Sequence, residues 1–256
     1  MMISRFDAAI NGTWLSEVDD SIIVTDVEEE KPVTRTNTDE KAVGAGSRFI
    51  RHERESLSVA VSFVIWEQDV HRRKEIMQRV QEWTGASGVN HLEINDREGQ
   101  RLCVRCTEPP SMPSALNWQE QMQAVFTAYE LPFWQDITPS RETITANGSL
   151  FVPGMGEAMC DVEVTNKGSS AITTLTLVCG DTNLVFSGIS LAAGKTLALS
   201  HDDLGLLSAK IRNTSVLNKR TAESDDDLIA MCGQYNTITV SGGTVSAVFK
   251  ARGVYL

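Results

Sequence analysis

The stretch Leu57-Ser-Val-Ala-Val-Ser-Phe-Val-Ile-Trp-Glu-Gln-Asp-Val-His-Arg-Arg-Lys-Glu-Ile-Met-Gln-Arg-Val-Gln-Glu-Trp83 decides the fold. Its first half places Leu57, Val59, Val61, Phe63 and Ile65 on one face, with Ser58, Ala60 and Ser62 on the other. That period of two predicts a half-buried strand whose serine-lined side packs less apolarly. After Trp66 to Asp69 the period changes. Val70, Ile76, Met77, Val80 and Trp83 fall on one helical stripe, and Arg72, Arg73, Glu75, Arg79 and Glu82 fall mostly away from it. Asp69 suits an N-cap, and Gly85-Ala-Ser-Gly88 suits a helix stop.

Strands are expected on both sides. Downstream they cover Val89 to Asn95, closed by a turn at Asp96-Arg-Glu-Gly99, and Gln100 to Cys106 with Leu102, Val104 and Cys106 inward. Trp118 through Tyr129 follows, alternating Met122, Ala124, Phe126 and Ala128 with Gln121, Gln123 and Thr127. Upstream, Met2 to Phe6 reads as a short strand, Asn11-Gly12 as a turn, and Trp14-Leu15 and Ile22 to Val27 as extended pieces. Between Glu30 and the deciding stretch, residues 31–55 are polar and weakly periodic. They have Gly44-Ala-Gly46 at the tip and Arg48, Arg51 and Arg54 on a basic return leg. A segment of this length without an apolar pattern is expected to be a functional arm or a disordered loop.

Composition divides the chain. All five tryptophans lie at or before Trp134, whereas glycine is scarcer before that point than after it, 6 against 12. Leu131-Pro-Phe-Trp-Gln-Asp-Ile-Thr-Pro139, with its two prolines, reads as the junction. The expected domains are 1–136 and 140–256. The second reads as all-β, with strands at Cys160 to Thr165, Ile172 to Val178, Asn183 to Phe186, Thr196 to Leu199, Ala209 to Ile211, Tyr235 to Val240 and Thr244 to Phe249. Turn signals separate them, which argues for a sandwich. The chain is thus mainly β with one helix.

The charge of −11 disfavours broad nucleic-acid binding. No apolar run approaches membrane-spanning length, and Met1 to Asp7 holds no apolar signal core, so export and membrane partners are not expected. The odd count of five cysteines suggests no disulfide framework. Cys103-Val-Arg-Cys106 has metal spacing, but a strand puts the two thiols on opposite faces, and no second pair completes a zinc set. His71-Arg-Arg-Lys74 reads as a solvated helix face. Asp225-Asp-Asp227 lacks calcium-loop spacing and reads as a turn. His52, His91 and His201 stand alone in sequence, with no nucleophile elbow, phosphate loop or His-Glu zinc motif beside them. No enzyme, metal or cofactor is expected.

Several segments agree in order and spacing with one known family. They are Asn11-Gly-Thr-Trp-Leu-Ser-Glu17, Ile23-Val-Thr-Asp-Val-Glu-Glu-Glu30, Arg54-Glu-Ser-Leu-Ser-Val-Ala-Val-Ser-Phe63, Asn95-Asp-Arg-Glu-Gly-Gln-Arg-Leu-Cys-Val-Arg-Cys106 and Phe126-Thr-Ala-Tyr-Glu-Leu-Pro-Phe-Trp134. Together they resemble the distal tail proteins of long, non-contractile-tailed phages and prophages. Val162 to Gly168 and Asp226 to Val240 extend the resemblance more loosely into the second domain. It implies a tail-tube-like first domain of packed sheets and one helix, followed by a galectin-like or carbohydrate-module-like sandwich. It also implies a structural ring, usually six-fold, joining the tail tube to the distal tip. Tail tube, hub and receptor-binding proteins would be its neighbours, and DNA would pass through the lumen without specific binding. The subunit would be made in the host cytoplasm and end in the virion. Under this resemblance the 31–55 arm becomes a ring contact, with Gly44, Gly46, Arg48, Phe49, Arg51 and Arg54 as interface candidates. The alternative of another class is a carbohydrate-binding protein acting through the sandwich. Tyr235, Tyr255, Phe151, Phe186 and Phe249 are its available aromatic platforms.

Overall fold

Ser58–Ile65 folds as a strand and Val70–Trp83 as a helix, as their two periods require. The computed structural model describes residues 6–30, 35–41, 47–54, 57–85, 90–112, 120–128, 133–202 and 205–255, with backbone only at 30, 35–41 and 47–54. It divides into two units, Met1–Phe133 and Trp134–Leu256.

The first unit runs β1 (Ala8–Ile10), β2 (Thr13–Trp14), the single turn α1 (Leu15–Val18), β3 (Ile22–Glu30), β4 (Arg35–Lys41), β5 (Ser47–Arg54), β6 (Ser58–Ile65), α2 (Val70–Trp83), β7 (Asn90–Ile94), β8 (Gln100–Glu108) and β9 (Met122–Ala128). All its strands except β4 and β5 form one antiparallel sheet in the order β2-β1-β7-β8-β9-β6-β3. Asn11 and Gly12 both take positive φ, 52° and 82°, the pairing a two-residue hairpin with the right twist demands. The strand expected at Met2 to Phe6 falls mostly on residues 1–5, outside the described residues.

Helix α2 covers this sheet. Asp69 caps it by accepting the His71 amide at 2.8 Å, and Thr84 closes it by donating its amide to Val80 O at 2.9 Å. Gly85 follows at φ 99°, a conformation that ends the helix; residues 86–89 lie outside the described residues. Ile76, Met77, Val80 and Trp83 are buried, each side chain worth roughly 1.5–3 kcal/mol of transfer from water. Trp83 reaches the inward row of β9 at Phe126, and Val59, Val61, Phe63, Ala124 and Phe126 of β6 and β9 are wholly buried. Arg73 corrects the expectation of a solvated basic run. His71, Arg72 and Lys74 are exposed, but Arg73 sits one turn before Ile76 and Met77 and is buried with them. Its guanidinium donates from Nη1 to the Glu67 carbonyl at 3.0 Å, which offsets part of the cost of burial.

The second unit runs β10 (Trp134–Asp136), β11 (Ser140–Ile144), β12 (Asn147–Val152), β13 (Glu157–Asn166), β14 (Ile172–Cys179), β15 (Thr182–Leu191), β16 (Thr196–His201), β17 (Leu207–Ile211), β18 (Thr214–Ser215), β19 (Ile229–Met231), β20 (Gln234–Ser241), β21 (Val245–Ala251) and β22 (Val254–Tyr255). One sheet has the order β11-β21-β13-β16-β17-β18, with β19 also on β13; the other is β12-β20-β14-β15. Each alternates buried and exposed residues, so two apolar faces meet in a sandwich core. Val162, Val164, Leu197 and Phe249 come from one face, and Leu175, Leu177, Phe186 and Ile238 from the other. The break between units falls after Phe133, ahead of the expected domain end at 136. The reason is β10: Trp134 pairs with Tyr255 and Gln135 with Val254, and the Trp134 indole is fully buried.

Candidate assembly and binding surfaces

The arm expected at 31–55 contains two paired strands. β4 and β5 form a sheet of their own, with Arg35 opposite Arg54, Asp39 opposite Phe49 and a register shift at Thr38/Asp39. Polar residues alternate here without an apolar face, so sequence periodicity gave no strand signal. Of the interface candidates, Gly44 and Gly46 lie outside the described residues. Arg48, Phe49, Arg51 and Arg54 lie on the β5 backbone, with their side chains outside the description. A two-stranded ribbon is marginal by itself in water and gains stability from whatever it packs against.

Charged groups tie helix α2 to the start of the chain. Asp19 accepts from Arg72 at 3.0 Å, from Arg79 and from the Ser21 amide at 3.0 Å. Burial alone would raise its pKa. The Ser21 and Arg79 hydrogen bonds outweigh that effect and lower it.

In the sandwich, His201 ends β16 between two carboxylates. Nδ1 lies 2.8 Å from Asp161 Oδ1, and Nε2 lies 2.9 Å from Asp227 Oδ1. Its side chain is 6% exposed, whereas the Asp161 and Asp227 carboxylates are 43% and 28% exposed, so the contacts are shielded on the imidazole side only. Burial pulls its pKa down, while the hydrogen bonds and charges of Asp161 and Asp227 overcome this and raise it. The sequence showed this histidine as isolated, because its partners lie 40 and 26 residues away. The acidic run thereby acquires a use beyond a turn: Asp225 accepts the Asn183 amide at 2.7 Å, and Asp227 holds the imidazole. An imidazole with both nitrogens engaged by carboxylates and no hydroxyl or thiol on it is a brace rather than a base poised for transfer.

Cys103 and Cys106 are half-buried on β8 and point to opposite faces, as a strand dictates. Burial raises the Cys106 thiol. Cys160 and Cys179 are fully buried in the sandwich. The Cys179 sulfur and burial both push the Cys160 thiol well up. Among the described residues no group of three His, Cys, Asp or Glu is arranged to hold a metal, and no helix is long and apolar enough to cross a membrane. Two open depressions on the first unit, of about 290 and 460 Å³, hold neither histidine nor cysteine.

Of the five aromatic platforms considered for sugar, Phe186 and Phe249 are buried in the core. Tyr255 donates its hydroxyl to Asp136 at 3.2 Å. Phe151 and Tyr235 remain on the surface, 44% and 74% exposed, as a ring pair with centroids 5.1 Å apart.

No family model and no curated protein matches the chain by sequence. Solved structures do match. The SPP1 Dit protein (gp 19.1), a paradigm of the hub adsorption apparatus in phages infecting Gram-positive bacteria, superposes with a TM-score of 0.73 at 10% identity, over 96% of this chain and 98% of its own. The chain has the fold of a phage distal tail protein. The phage P2 baseplate in its activated conformation contains a chain of the same fold. With Ca it gives a TM-score of 0.53 at 10% identity, over 97% of this chain and 98% of that one. With Sr it gives 0.52 at 10% identity, over 96% and 97%. Both units therefore take part in the distal tail fold, the helix-covered sheet as well as the sandwich.

Proposed function

We propose that the chain is a structural, non-catalytic subunit of a phage or prophage tail tip. Copies of it form a six-fold ring that joins the tail tube to the distal tip or baseplate machinery. The observation that carries this reading is the near-complete match to SPP1 Dit, 96% of one chain against 98% of the other at a TM-score of 0.73. That match spans two units whose combination in one chain is more specific than either alone. The P2 baseplate matches support the same placement in the virion.

The first unit supplies surfaces suited to ring contacts. β3 is a nine-residue strand at the end of its sheet, and such an edge offers its ladder to a neighbouring chain. The β4–β5 ribbon that follows is a contact arm of the kind a ring requires. A net charge of −11 suits a lumen through which DNA slides, since a basic wall would grip phosphates. Tube, hub and receptor-binding proteins are the expected neighbours. Native mass measurement with negative-stain imaging of the purified chain tests the reading. Closed rings of six with a central channel are expected. A chain that stays monomeric at high concentration and also fails to add to purified tail tubes removes it.

A further inference from the structure

We infer that Cys160 and Cys179 are a latent disulfide, which closes across the sandwich of the second unit when the folded chain meets a peroxide and locks its two sheets together. The pair depends on the sandwich alone and stands whether or not the chain assembles as proposed above. Cys160 lies on the inward row of β13 between Ala158 and Val162, and Cys179 ends the inward row of β14 after Leu175 and Leu177. All of these side chains are buried. The two strands belong to different sheets, so the thiols face each other through the core rather than along a ladder.

Facing sheets ordinarily stand about 10 Å apart, whereas a disulfide needs its two Cα atoms within about 7 Å. Such a bond therefore forms only where a sandwich narrows. Here the peptide that joins Leu228 to Ile229 ties the two cysteine backbones together. Its carbonyl accepts the Cys160 amide at 2.9 Å. Its N–H donates to Thr182 Oγ1 at 2.8 Å, and that hydroxyl donates to the Cys179 carbonyl at 2.9 Å. The same segment enters β19, which pairs Ile229 with Met159 on β13. From the other sheet, Gly180 follows Cys179 at φ 57°, so close that an added Cβ would stand 3.6 Å from Ile229 O. Within this frame the two thiols hydrogen-bond each other.

The contact also sets the order of reaction. The Cys160 thiol stabilises a thiolate at Cys179 and lowers its pKa, while the Cys179 sulfur and burial raise that of Cys160. Cys179 is therefore the first nucleophile. Its thiolate attacks one oxygen of hydrogen peroxide, the O–O bond breaks, and hydroxide leaves as water with the proton that Cys179 gave up. The Cys160 sulfur then attacks the Cys179 sulfenic acid. The S–S bond forms, the S–O bond breaks, and the departing hydroxide takes the Cys160 proton as a second water. Two thiols are oxidised and one peroxide is reduced. Peroxide, little larger than water, suits wholly buried sulfurs better than a bulky disulfide would. A chain that folds under reducing conditions buries both thiols first, so the bond fixes a fold already reached.

Peptide mapping of the full chain tests this. The reduced, folded protein is first alkylated to block accessible thiols, then exposed to hydrogen peroxide, unfolded, alkylated with a second reagent and digested. Mass spectrometry should find one peptide pair joining Cys160 to Cys179, separated again by reductant, with Cys103, Cys106 and Cys232 unlinked. The melting temperature should rise by roughly 10 °C, the scale of closing a loop of about 20 residues in a domain of this size. Cys160→Ala and Cys179→Ala should show neither the linked peptide nor the rise. Each variant is compared with its own reduced form, so a loss of starting stability does not obscure the shift. Recovery of Cys160 and Cys179 unlinked from the oxidised natural chain overturns the inference, as does equal linkage to any other cysteine. A linked pair with unchanged or lowered melting removes the lock, and a rise that persists in either alanine variant assigns it elsewhere.

Discussion

Arg97, in the turn between β7 and β8, forks onto Glu29 of β3, with Nε to Oε1 at 2.7 Å and Nη2 to Oε2 at 2.9 Å. In the ladder order β8, β9 and β6 stand between β7 and β3, so the pair bridges a sheet that coils strongly. Its side chains are 21% and 19% exposed, which sets this two-point contact above the usual surface ion pair. Arg97→Lys keeps the charge and loses the fork. It should lower stability by about 1–2 kcal/mol, and Glu29→Gln by a similar amount. Urea unfolding of both variants and of the double variant gives the coupling. Additive losses would mean that the clamp contributes nothing as a pair.

Trp83 joins α2 to the sheet in two ways. Its ring stands edge-on to Phe126, centroids 5.8 Å apart at 89°, and its Nε1 donates to Thr13 O at 2.7 Å. Trp83→Ala should cost about 3–5 kcal/mol. Trp83→Phe, which keeps ring contact and drops the hydrogen bond, should cost distinctly less. Equal midpoints for the two variants in chemical denaturation would show that packing against Phe126 is not the dominant contact.

His201 should make stability depend on pH in a defined direction. Its folded-state pKa is raised, burial opposing and Asp161 and Asp227 prevailing. A raised pKa means that the folded state holds the proton more tightly than the unfolded chain, whose histidine titrates near about 6.5. The contribution is therefore full below that value and is lost as pH rises through the folded pKa. Denaturation midpoints measured from mildly acidic to mildly basic pH should fall for the natural chain and flatten for His201→Gln. An unchanged slope in the variant would remove the imidazole from the account.

Local pattern carried much of the fold. The change of period at Trp66 marks the boundary between β6 and α2, and alternation marks β7 to β9 and most sandwich strands. What it missed depends on distant partners. Arg73 reads as one of four basic residues, and its burial is compensated by partners such as the Glu67 carbonyl, six residues back, that periodicity does not show. Ser140–Ile144 has a single buried residue, Ile144, so its place beside β21 left no apolar trace. Trp134 sits among prolines that read as linker, while its strand pairs with residues at the opposite end of the unit. The exposed pair Phe151 and Tyr235 was legible only as two of five aromatic candidates, because exposure is set by which sheet face each strand turns outward.

The β4–β5 ribbon is the expected clasp of the ring. Deleting residues 34–51 removes most of both strands while leaving the main sheet of the first unit and the sandwich intact. The variant should keep the melting behaviour of the natural chain and fail to close rings, as judged by native mass and imaging. Closed rings formed without the ribbon would assign the contact to another surface, with the β3 edge as the next to test.

The two units should separate cleanly, provided the cut respects β10. Trp134 is wholly buried and Asp136 is tied into the second unit from several sides. Its amide donates to Gly253 O at 3.0 Å, its carbonyl accepts Arg252 Nη1 at 2.8 Å, and its carboxylate accepts the Tyr255 hydroxyl at 3.2 Å. A Cβ at position 253 would lie 2.2 Å from Asp136 Oδ2 and 2.8 Å from the Pro153 carbonyl oxygen, a backbone atom that cannot swing aside, which is why glycine stands there. Residues 134–256 should therefore fold alone as a monomer. Residues 140–256, lacking the tryptophan and its strand, should be less stable by about 3–5 kcal/mol, the scale of emptying a buried aromatic site. Residues 1–133 carry β3 and the ribbon and should retain ring assembly by themselves. Sedimentation of the three fragments at matched concentration and salt, with urea unfolding of the two sandwich fragments, decides both points. Equal stability of the long and short sandwiches would show that β10 contributes little, and rings found only in the sandwich half would reverse the assignment of the assembly surface.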